Sequence, residues 1–189
     1  MLFRSALTAI GSTKNPQTTS ICALFDHEEV GSESATGANG NFLASVVDRI
    51  CLNLHQEDKL RALAKSFFIS ADMAHAFHPN FAGSYEPCHH VHVNQGPVIK
   101  TNANQRYATD AKSAARFIQL CEQAGVPYQQ YAHRTDLGCG STIGPIIASK
   151  LGITSVDVGA PMWAMHSIRE SAGALDHHYM ISVLNTFFK

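Results

Sequence analysis

The amino-acid sequence predicts an α/β fold in three layers, in which helices cover both faces of a largely parallel central sheet. Short apolar runs of strand length alternate along the chain with segments of helical period. Clusters of polar residues directly follow several of those runs, as they do where α/β sheets bind ligands. With 189 residues, 45% of them hydrophobic and 15% charged, the chain has enough apolar material for the core of one ordinary domain.

The predicted elements follow one another in a regular order. The chain opens on a helical pattern that includes Leu2, Leu7 and Ile10, and a final helix is expected from about Ser171. The strand-length runs are SICALF, SFFISA, PVIKT, VPYQQYA and ITSVDVG, and the helical segments between them are NFLASVVDRICLNL, DAKSAARFIQLCEQAG and TIGPIIASKLG. The loop from Met73 to Gly96 is long enough to suggest a functional role.

Composition excludes some classes of partner. The net charge is -1 with interspersed signs, so no cluster of Lys and Arg could neutralise nucleic-acid phosphates or an anionic membrane surface. We therefore expect small molecules or peptides as partners. The five cysteines are odd in number, widely spaced and without a CxxC pair, which indicates free thiols in a reducing compartment.

The residues at the beginning of the given sequence predict no targeting signal. Its apolar stretch is interrupted by Arg4 and is too short for a secretory core, and no later run approaches membrane-spanning length. We therefore predict a cytoplasmic location. The helical pattern starts without a capping residue ahead of it, which predicts that further residues lie upstream.

Polar clusters follow four of the predicted strands. FDHEE comes after SICALF, Asp72 closes SFFISAD, TDLGCGST comes after YQQYAHR, and GAPMWAMHS comes after ITSVDV. The carboxyl ends of parallel strands lie at the same edge of a sheet, where open α/β folds bind ligands. We therefore expect these clusters to meet in space.

Glu29, Asp72 and His166 form the candidate metal-binding set. Two carboxylates and an imidazole are the mixed oxygen and nitrogen ligands that zinc accepts. Each residue has an ordinary alternative. The acidic stretch could be a surface turn, Asp72 a strand-end turn or helix cap, and His166 a buried, hydrogen-bonded residue. Their common position after predicted strands favours the metal site.

Glu28 is the candidate general base. Successive side chains of an extended segment face opposite directions, so Glu29 could bind metal while Glu28 faces the substrate. Glu28 could then take a proton from water and return it to a departing amine. A dication would offset the repulsion among these carboxylates, and Asp26 and His27 could orient the ligands.

The stretch TDLGCGSTIG offers two interpretations. It could be a turn with a helix cap, or a segment in which Gly140 and Ser141 bring the backbone close to a substrate. It does not match a dinucleotide fingerprint, because Gly144 comes one position late.

The remaining polar candidates are isolated or lie in loops. The histidines of CHHVHV are more typical of a solvated loop or a sheet edge than of a metal site. Lys100 is an isolated cation near Tyr107. Its usual role would be surface solvation, but in a cleft it could pair with an acidic group of a substrate.

Five motifs in fixed order carry a resemblance to a known family. They are FDHEEVGSESATGA, FISADMAHAFHPN, GPVIKTNANQRYA, CGSTIGPIIASKLGI and DVGAPMWAMHSIRE. From about Leu2 to its end, the chain resembles the C-terminal part of the catalytic domain of the M18 family, the aspartyl aminopeptidases. The resemblance implies a sandwich of the zinc exopeptidase type and two zinc ions in an intact site. It also implies removal of N-terminal Asp or Glu from peptides, and homo-oligomers built from dimers into a dodecamer.

The resemblance implies a role for each candidate residue. Glu28 matches the catalytic base, Glu29 and His166 match ligands of one metal, and Asp72 matches a ligand of the other metal. The residues that match the substrate site or its wall are His75, Lys100 and Tyr107.

The resemblance also implies parts that residues 1–189 do not contain. The family's site uses an upstream histidine and a bridging aspartate ahead of LFRSAL, and its dimerisation domain is inserted upstream. We therefore expect the C-terminal portion of a catalytic domain, incomplete at its N-terminal side, with three of the five protein ligands. Three hypotheses follow. The chain is a truncated aspartyl aminopeptidase, a noncatalytic fragment or scaffold subunit that retains the fold and oligomer contacts, or a metal-dependent hydrolase of another substrate, such as an N-acyl amino acid.

Overall fold

The computed structural model describes residues 1–189 and places a mixed sheet between two layers of helices. Two short 3-10 helices lie at Glu28–Val30 and Pro79–Ser84. No helix is both long enough and apolar enough to span a lipid bilayer. The helices are α1 (Leu2–Ser12), α2 (Phe42–Ile50), α3 (Gln56–Lys65), α4 (Ala111–Ala124), α5 (Ile143–Leu151) and α6 (Ala174–Phe187). The strands are β1 (Phe67–His75), β2 (Val98–Thr101), β3 (Gln129–Ala132), β4 (Thr154–Trp163) and β5 (Ser171–Ala172).

The four main strands lie in the order β1, β4, β2, β3, and β5 pairs with β4. β1 and β4 are parallel from Phe67 beside Thr154 to His75 beside Met162. β2 and β3 are parallel to each other, but β2 is antiparallel to β4. The carboxyl ends of β1 and β4 therefore lie at one edge of the sheet, and those of β2 and β3 point to the opposite edge.

Two apolar clusters lie on opposite faces of the sheet. On one face, Ile69 of β1 and Val156 of β4 belong to a core that includes Phe117 of α4 and residues of α1 and α6. On the other face, Phe68 packs with Ile147 of α5 in a cluster that also includes residues of α2. Alternate residues of β1 thus serve alternate faces. This arrangement confirms the predicted three-layer α/β fold.

The ends of α4 and α5 agree with their sequence signals. The Asp110 side chain accepts a hydrogen bond from the Ser113 amide at 2.7 Å, and the Ser113 hydroxyl accepts one from the Asp110 amide at 2.9 Å. This reciprocal capping box fixes the start of α4. Gly125 and Gly152 end α4 and α5 with φ of 65° and 64°, a conformation that glycine adopts without strain.

Three sequence predictions require correction. The predicted strand SICALF is wrong: residues 18–25 belong to no helix or strand, and none of their backbone groups hydrogen-bonds to another backbone group. An apolar cavity separates this segment from β1, so no strand lies beside it to pair with. The predicted helix NFLASVVDRICLNL ends early, at Ile50. The strand ITSVDVG continues through APMW to Trp163, because β1 pairs with β4 as far as Met162.

Candidate functional site

Glu28 and Glu29 lie in a tight turn at the rim of the sheet. They occupy the 3-10 helix between His27 and Gly31, both of which have left-handed backbones with φ of 61° and 104°. The predicted extended segment is therefore wrong here. The two carboxylates still diverge, because successive side chains of a 3-10 helix are about 120° apart around its axis.

The side chain of His27 does not orient the glutamates. Its Nδ1 lies 2.8 Å from the Ser34 hydroxyl, within the loop that follows the turn. The Ser34 hydroxyl also accepts a hydrogen bond from the Gly37 amide at 3.0 Å. His27 therefore stabilises the loop that holds the turn, and the predicted contact with the ligands is not formed.

Glu29 and His166 face each other across the rim. The Glu29 Oε2 and His166 Nε2 atoms are 2.8 Å apart, and both side chains are about two-thirds exposed. His166 lies in the turn between β4 and β5, with φ of 66°, and its amide donates to Glu170 at 2.6 Å. This turn directs the His166 imidazole toward the Glu29 carboxylate.

Asp72 lies at the same rim but has a different partner. Its Oδ2 accepts from the Lys100 ammonium at 3.3 Å, and its Oδ1 accepts from the Met73 amide at 2.7 Å. Lys100 is almost fully buried, also donates to the Met73 carbonyl at 3.0 Å, and lies 5.3 Å from the centre of the Tyr107 ring. Lys100 and Tyr107 therefore lie below Asp72, and we call these two residues the floor of the candidate site.

The pKa of Glu28 responds to charges in both parts of the rim, the Glu29–His166 pair and the Asp72–Lys100 pair. Partial burial raises the pKa of the Glu28 carboxyl above its ordinary value, and the nearby charges of Asp72 and Glu29 raise it further. Lys100 and His166 oppose that shift. Glu28 therefore lies within electrostatic range of all the predicted metal ligands.

His75, at the end of β1, also has a shifted pKa. Burial lowers the pKa of His75, and the positive charge of Lys100 lowers it further. His166 and His133 act in the same direction, and Asp72 opposes them. The structure thus favours the neutral imidazole of His75.

The predicted residues Gly140 and Ser141 lie at the end of a long loop before α5. This loop leaves β3 at the edge opposite to the carboxyl ends of β1 and β4, so the expectation that TDLGCGST starts at the common edge is wrong. The loop returns to the site through Cys139, which packs against the apolar cluster that includes Tyr107. A side chain at Gly140 would meet no atom within 4 Å. Gly140 and Ser141 are exposed and open to solvent.

The histidine-rich segment CHHVHV lies apart from this chemistry. Nδ1 of His89 lies 2.5 Å from the Glu86 carboxylate, and the ring of His90 stacks on Phe77 with 4.0 Å between centroids. No three His, Cys, Asp or Glu side chains anywhere in residues 1–189 are grouped closely enough to hold a metal ion.

Sequence reasoning missed Asp157, a fully buried carboxylate in the middle of β4. Its oxygens accept hydrogen bonds from the Ala108 amide at 2.6 Å and the Thr142 hydroxyl at 2.5 Å. Asp157 thereby connects the segment after Tyr107 to the start of α5. An acidic residue inside an otherwise apolar strand was the available signal, because such residues are rarely buried without partners.

A family model described as aminopeptidase I zinc metalloprotease (M18) matches residues 2–188. The chain belongs to the M18 family. A probable M18 family aminopeptidase 2 from Mycobacterium tuberculosis is 53% identical over 169 residues, which are 88% of this chain and 39% of that protein. The chain thus spans about two fifths of the length of this M18 relative.

Solved M18 structures agree with the fold. Yeast aminopeptidase 1 superposes with a TM-score of 0.86 at 30% identity, over 99% of this chain and 43% of the yeast chain. The mApe1 dodecamer of Saccharomyces cerevisiae gives a TM-score of 0.77 at 33% identity, over 87% of this chain and 36% of that one. The M18 fold is therefore present over nearly the whole of residues 1–189.

Proposed function

We propose that this chain carries the metal-binding and catalytic rim of a zinc-dependent aminopeptidase that removes acidic N-terminal residues from peptides. The observation that carries the proposal is the juxtaposition of Glu29 and His166, 2.8 Å apart, beside Glu28 and Asp72. Membership of a family described as zinc metalloproteases supports it.

The donor set fits zinc in part. A carboxylate oxygen and an imidazole nitrogen that face each other supply two ligands of the kinds zinc prefers. Asp72 is a further oxygen donor that could bind a second zinc ion. Within residues 1–189, however, no three potential ligands are grouped closely enough to complete either metal site. When bound, zinc would polarise the scissile carbonyl and lower the pKa of water. The remaining ligands would come from parts of an M18 site that lie outside residues 1–189.

Glu28 would move the proton. Its raised pKa gives it a stronger affinity for a proton than an ordinary glutamate, which suits a group that must accept one and later release it to the departing amine. Glu28 does not need to bind metal for this role, because Glu29 diverges from it in the 3-10 turn. His75, kept neutral, can contact a substrate without repelling its ammonium group.

Lys100 would select acidic substrates. An ammonium group has three hydrogen-bond donors, and Lys100 uses two of them on Asp72 and the Met73 carbonyl. The third can donate a hydrogen bond to a substrate carboxylate. A Lys100→Ala variant should therefore lose most of its preference for aspartyl over alanyl substrates. A variant that kept the full preference would exclude this role.

Gly140 and Ser141 would supply part of the substrate-binding wall. Their exposed backbone lies just before the start of α5, in a loop whose Cys139 packs against the apolar cluster that includes Tyr107. Free amides at a helix start favour negative charge.

The five cysteines form no disulfide, which supports the proposed cytoplasmic location. A homo-oligomer is proposed from the likeness to the mApe1 dodecamer.

A noncatalytic role for the isolated chain is the second candidate. It is favoured by one observation: no three potential ligands are grouped within residues 1–189. A polypeptide of this kind would keep the M18 fold and its contacts with other subunits without turnover.

A chimera separates the two candidates. Residues 1–189 would replace the matched region of the Mycobacterium tuberculosis relative, and hydrolysis of an aspartyl-amide substrate would be measured with added zinc. We expect turnover by the chimera, and a loss of at least about a hundredfold in kcat for its Glu28→Gln variant, in the range of general base catalysis.

The matched control is Glu33→Gln, because Glu33 is an exposed glutamate in the same loop. It should leave kcat unchanged. An inactive chimera that still binds zinc and folds would favour the noncatalytic role. An active chimera in which Glu28→Gln kept full activity would contradict the assignment of the base.

A further inference from the structure

Asp157 of β4 lies between two parts of the proposed substrate-binding wall. Its fully buried side chain contacts the segment that follows Tyr107 and the residue that follows Gly140 and Ser141. We propose that Asp157 is a positioning residue for substrate binding, which holds Tyr107 and the Gly140–Ser141 backbone at a fixed separation. The proposal rests on the proposed function and adds to it a residue that does not itself contact the substrate.

Three hydrogen bonds join Asp157 to the residues after Tyr107. The Asp157 Oδ2 atom accepts from the Ala108 amide at 2.6 Å, and the Thr109 hydroxyl accepts from the Asp157 amide at 2.9 Å. The Thr109 hydroxyl also donates to the Asp157 carbonyl at 3.5 Å. Because Ala108 follows Tyr107 directly, these bonds fix the place of the Tyr107 ring beside the Lys100 ammonium group.

The second part of the wall is joined to Asp157 through Thr142, the N-cap residue of α5. An N-cap threonine ordinarily accepts a hydrogen bond from an amide in the first turn of its helix. The Thr142 side chain makes no such bond, and its hydroxyl instead donates to the Asp157 Oδ1 atom at 2.5 Å. Since Ser141 directly precedes Thr142, this bond fixes the position of the Gly140–Ser141 backbone.

The first turn of α5 also packs directly on the Asp157 carboxyl group. A side chain at Gly144 would collide with that group, so the close approach requires glycine. The partial positive charge at the N-terminus of a helix favours a carboxylate at this place. The two oxygens of one planar group therefore bind the two parts of the wall, while β4, between β1 and β2 in the sheet, holds the group itself.

Burial makes these contacts difficult to replace. Asp157 is 0% exposed and Thr142 is 5% exposed, so bulk solvent does not reach the bond between them. A buried polar group that loses its partner is left without the hydrogen bonds that water would supply. We therefore expect the loss of one contact to displace the wall.

The kinetic test uses the chimera of residues 1–189 with the Mycobacterium tuberculosis relative. Thr142→Val removes the hydroxyl at nearly constant volume and removes no capping bond from α5. We expect KM for an aspartyl-amide substrate to rise about tenfold, the effect of about one hydrogen bond, with kcat within about threefold of its unmodified value. The wall contacts the substrate in the ground state and the transition state alike, so its displacement changes KM rather than kcat.

Further variants separate positioning from stability. Thr142→Ser returns the hydroxyl and should restore KM. Asp157→Asn should also keep KM, because its oxygen accepts from the Ala108 amide and its amino group can donate to the Thr142 hydroxyl. The matched control is Ser155→Ala, since Ser155 is a buried residue of the same strand whose hydroxyl donates to the Ile153 carbonyl. It should leave KM unchanged.

Crystal structures of residues 1–189, unmodified and with Thr142→Val, test the same proposal without hydrolysis. We expect Ser141 to move by about 1 Å relative to Tyr107, a displacement large enough to affect the reaction of a bound substrate. Thr142→Ser should leave Ser141 in place. An inactive chimera, together with this displacement, would contradict the proposed function and support the positioning role.

Four results would overturn the proposal. They are a KM unchanged by Thr142→Val, an equal rise of KM in Ser155→Ala, a rise of KM in Asp157→Asn, and a Thr142→Val structure in which Ser141 and Tyr107 keep their separation. The third result would show that the charge of the carboxylate, and not its two contacts, supports substrate binding. It remains measurable even where Thr142→Val does not fold.

Discussion

Lys100 is the residue that most directly couples the parts of the candidate site. Its ammonium group contacts Asp72, lies over the Tyr107 ring, and acts on the pKa of both Glu28 and His75. A buried cation with a single carboxylate partner is uncommon unless the site requires its charge. The residues alone left Lys100 open between surface solvation and pairing with a substrate in a cleft, and the family resemblance favoured the substrate site.

Replacement of Lys100 by methionine should raise the pKa of His75. The charge of Lys100 disfavours the imidazolium, so its removal shifts the pKa upward, while burial still holds it below the ordinary value. The titration of His75 can be followed by NMR of the ring carbon-bound protons. Lys112→Met, on the exposed surface of α4, is the matched control and should leave the titration unchanged. A His75 titration that did not move in Lys100→Met would contradict this account of the floor.

Several site residues could be predicted from strand ends, and others could not. Asp72 and His166 meet at one rim because β1 and β4 are parallel, as the sequence pattern indicated. The tight turn that separates Glu28 from Glu29 was not predictable, because it depends on left-handed residues on both sides. Asp157 was missed since its partner Ala108 lies 49 residues away in sequence, in the segment before α4.

At the scale of elements, local signals were more reliable than apolar content. The segments that became α4 and α5 carry caps or terminal glycines and lie where the sequence predicts them. SICALF is apolar enough for a strand but has no neighbour to pair with, and pairing is a long-range property. Helix α3 was missed because its surface is largely polar and exposed, so its apolar period is weak.

The capping box of α4 gives a prediction at this scale. Asp110→Ala should lower the free energy of unfolding by about 1 kcal/mol at pH 7, the usual effect of removing an N-cap side chain. Hydrogen bonds from the Ser113 amide and side chain lower the pKa of Asp110, which favours the ionised form in the folded state. This stabilisation is present above the unfolded pKa of about 3.9 and is lost as the pH falls through the lower folded value.

Urea unfolding at several pH values measures this effect. The difference between the unmodified chain and Asp110→Ala should shrink below about pH 4, where the carboxyl begins to take up its proton. Asp110→Asn is the control, since asparagine also caps helices but does not titrate. A pH-independent difference for Asp110→Ala would show that the ionised carboxylate is not what stabilises α4.

At the scale of the whole molecule, the layer architecture was predictable and the strand directions were not. Alternation of apolar and helical segments indicates three layers, but it does not say whether a given pair of strands is parallel. The antiparallel contact of β2 with β4 reverses the edge from which the TDLGCGST loop leaves. Long-range packing therefore determines which of the predicted polar clusters lie at the same edge of the sheet.

The central claim is that the rim of residues 1–189 binds zinc through Glu29 and His166. Anomalous diffraction at the zinc edge, from crystals of the chain grown with zinc, tests it most directly. The account predicts an anomalous peak about 2.0–2.2 Å from a Glu29 oxygen and a His166 nitrogen. A peak at the histidines of residues 88–93 with none at the rim, or no peak bound to Glu29 and His166, would contradict it.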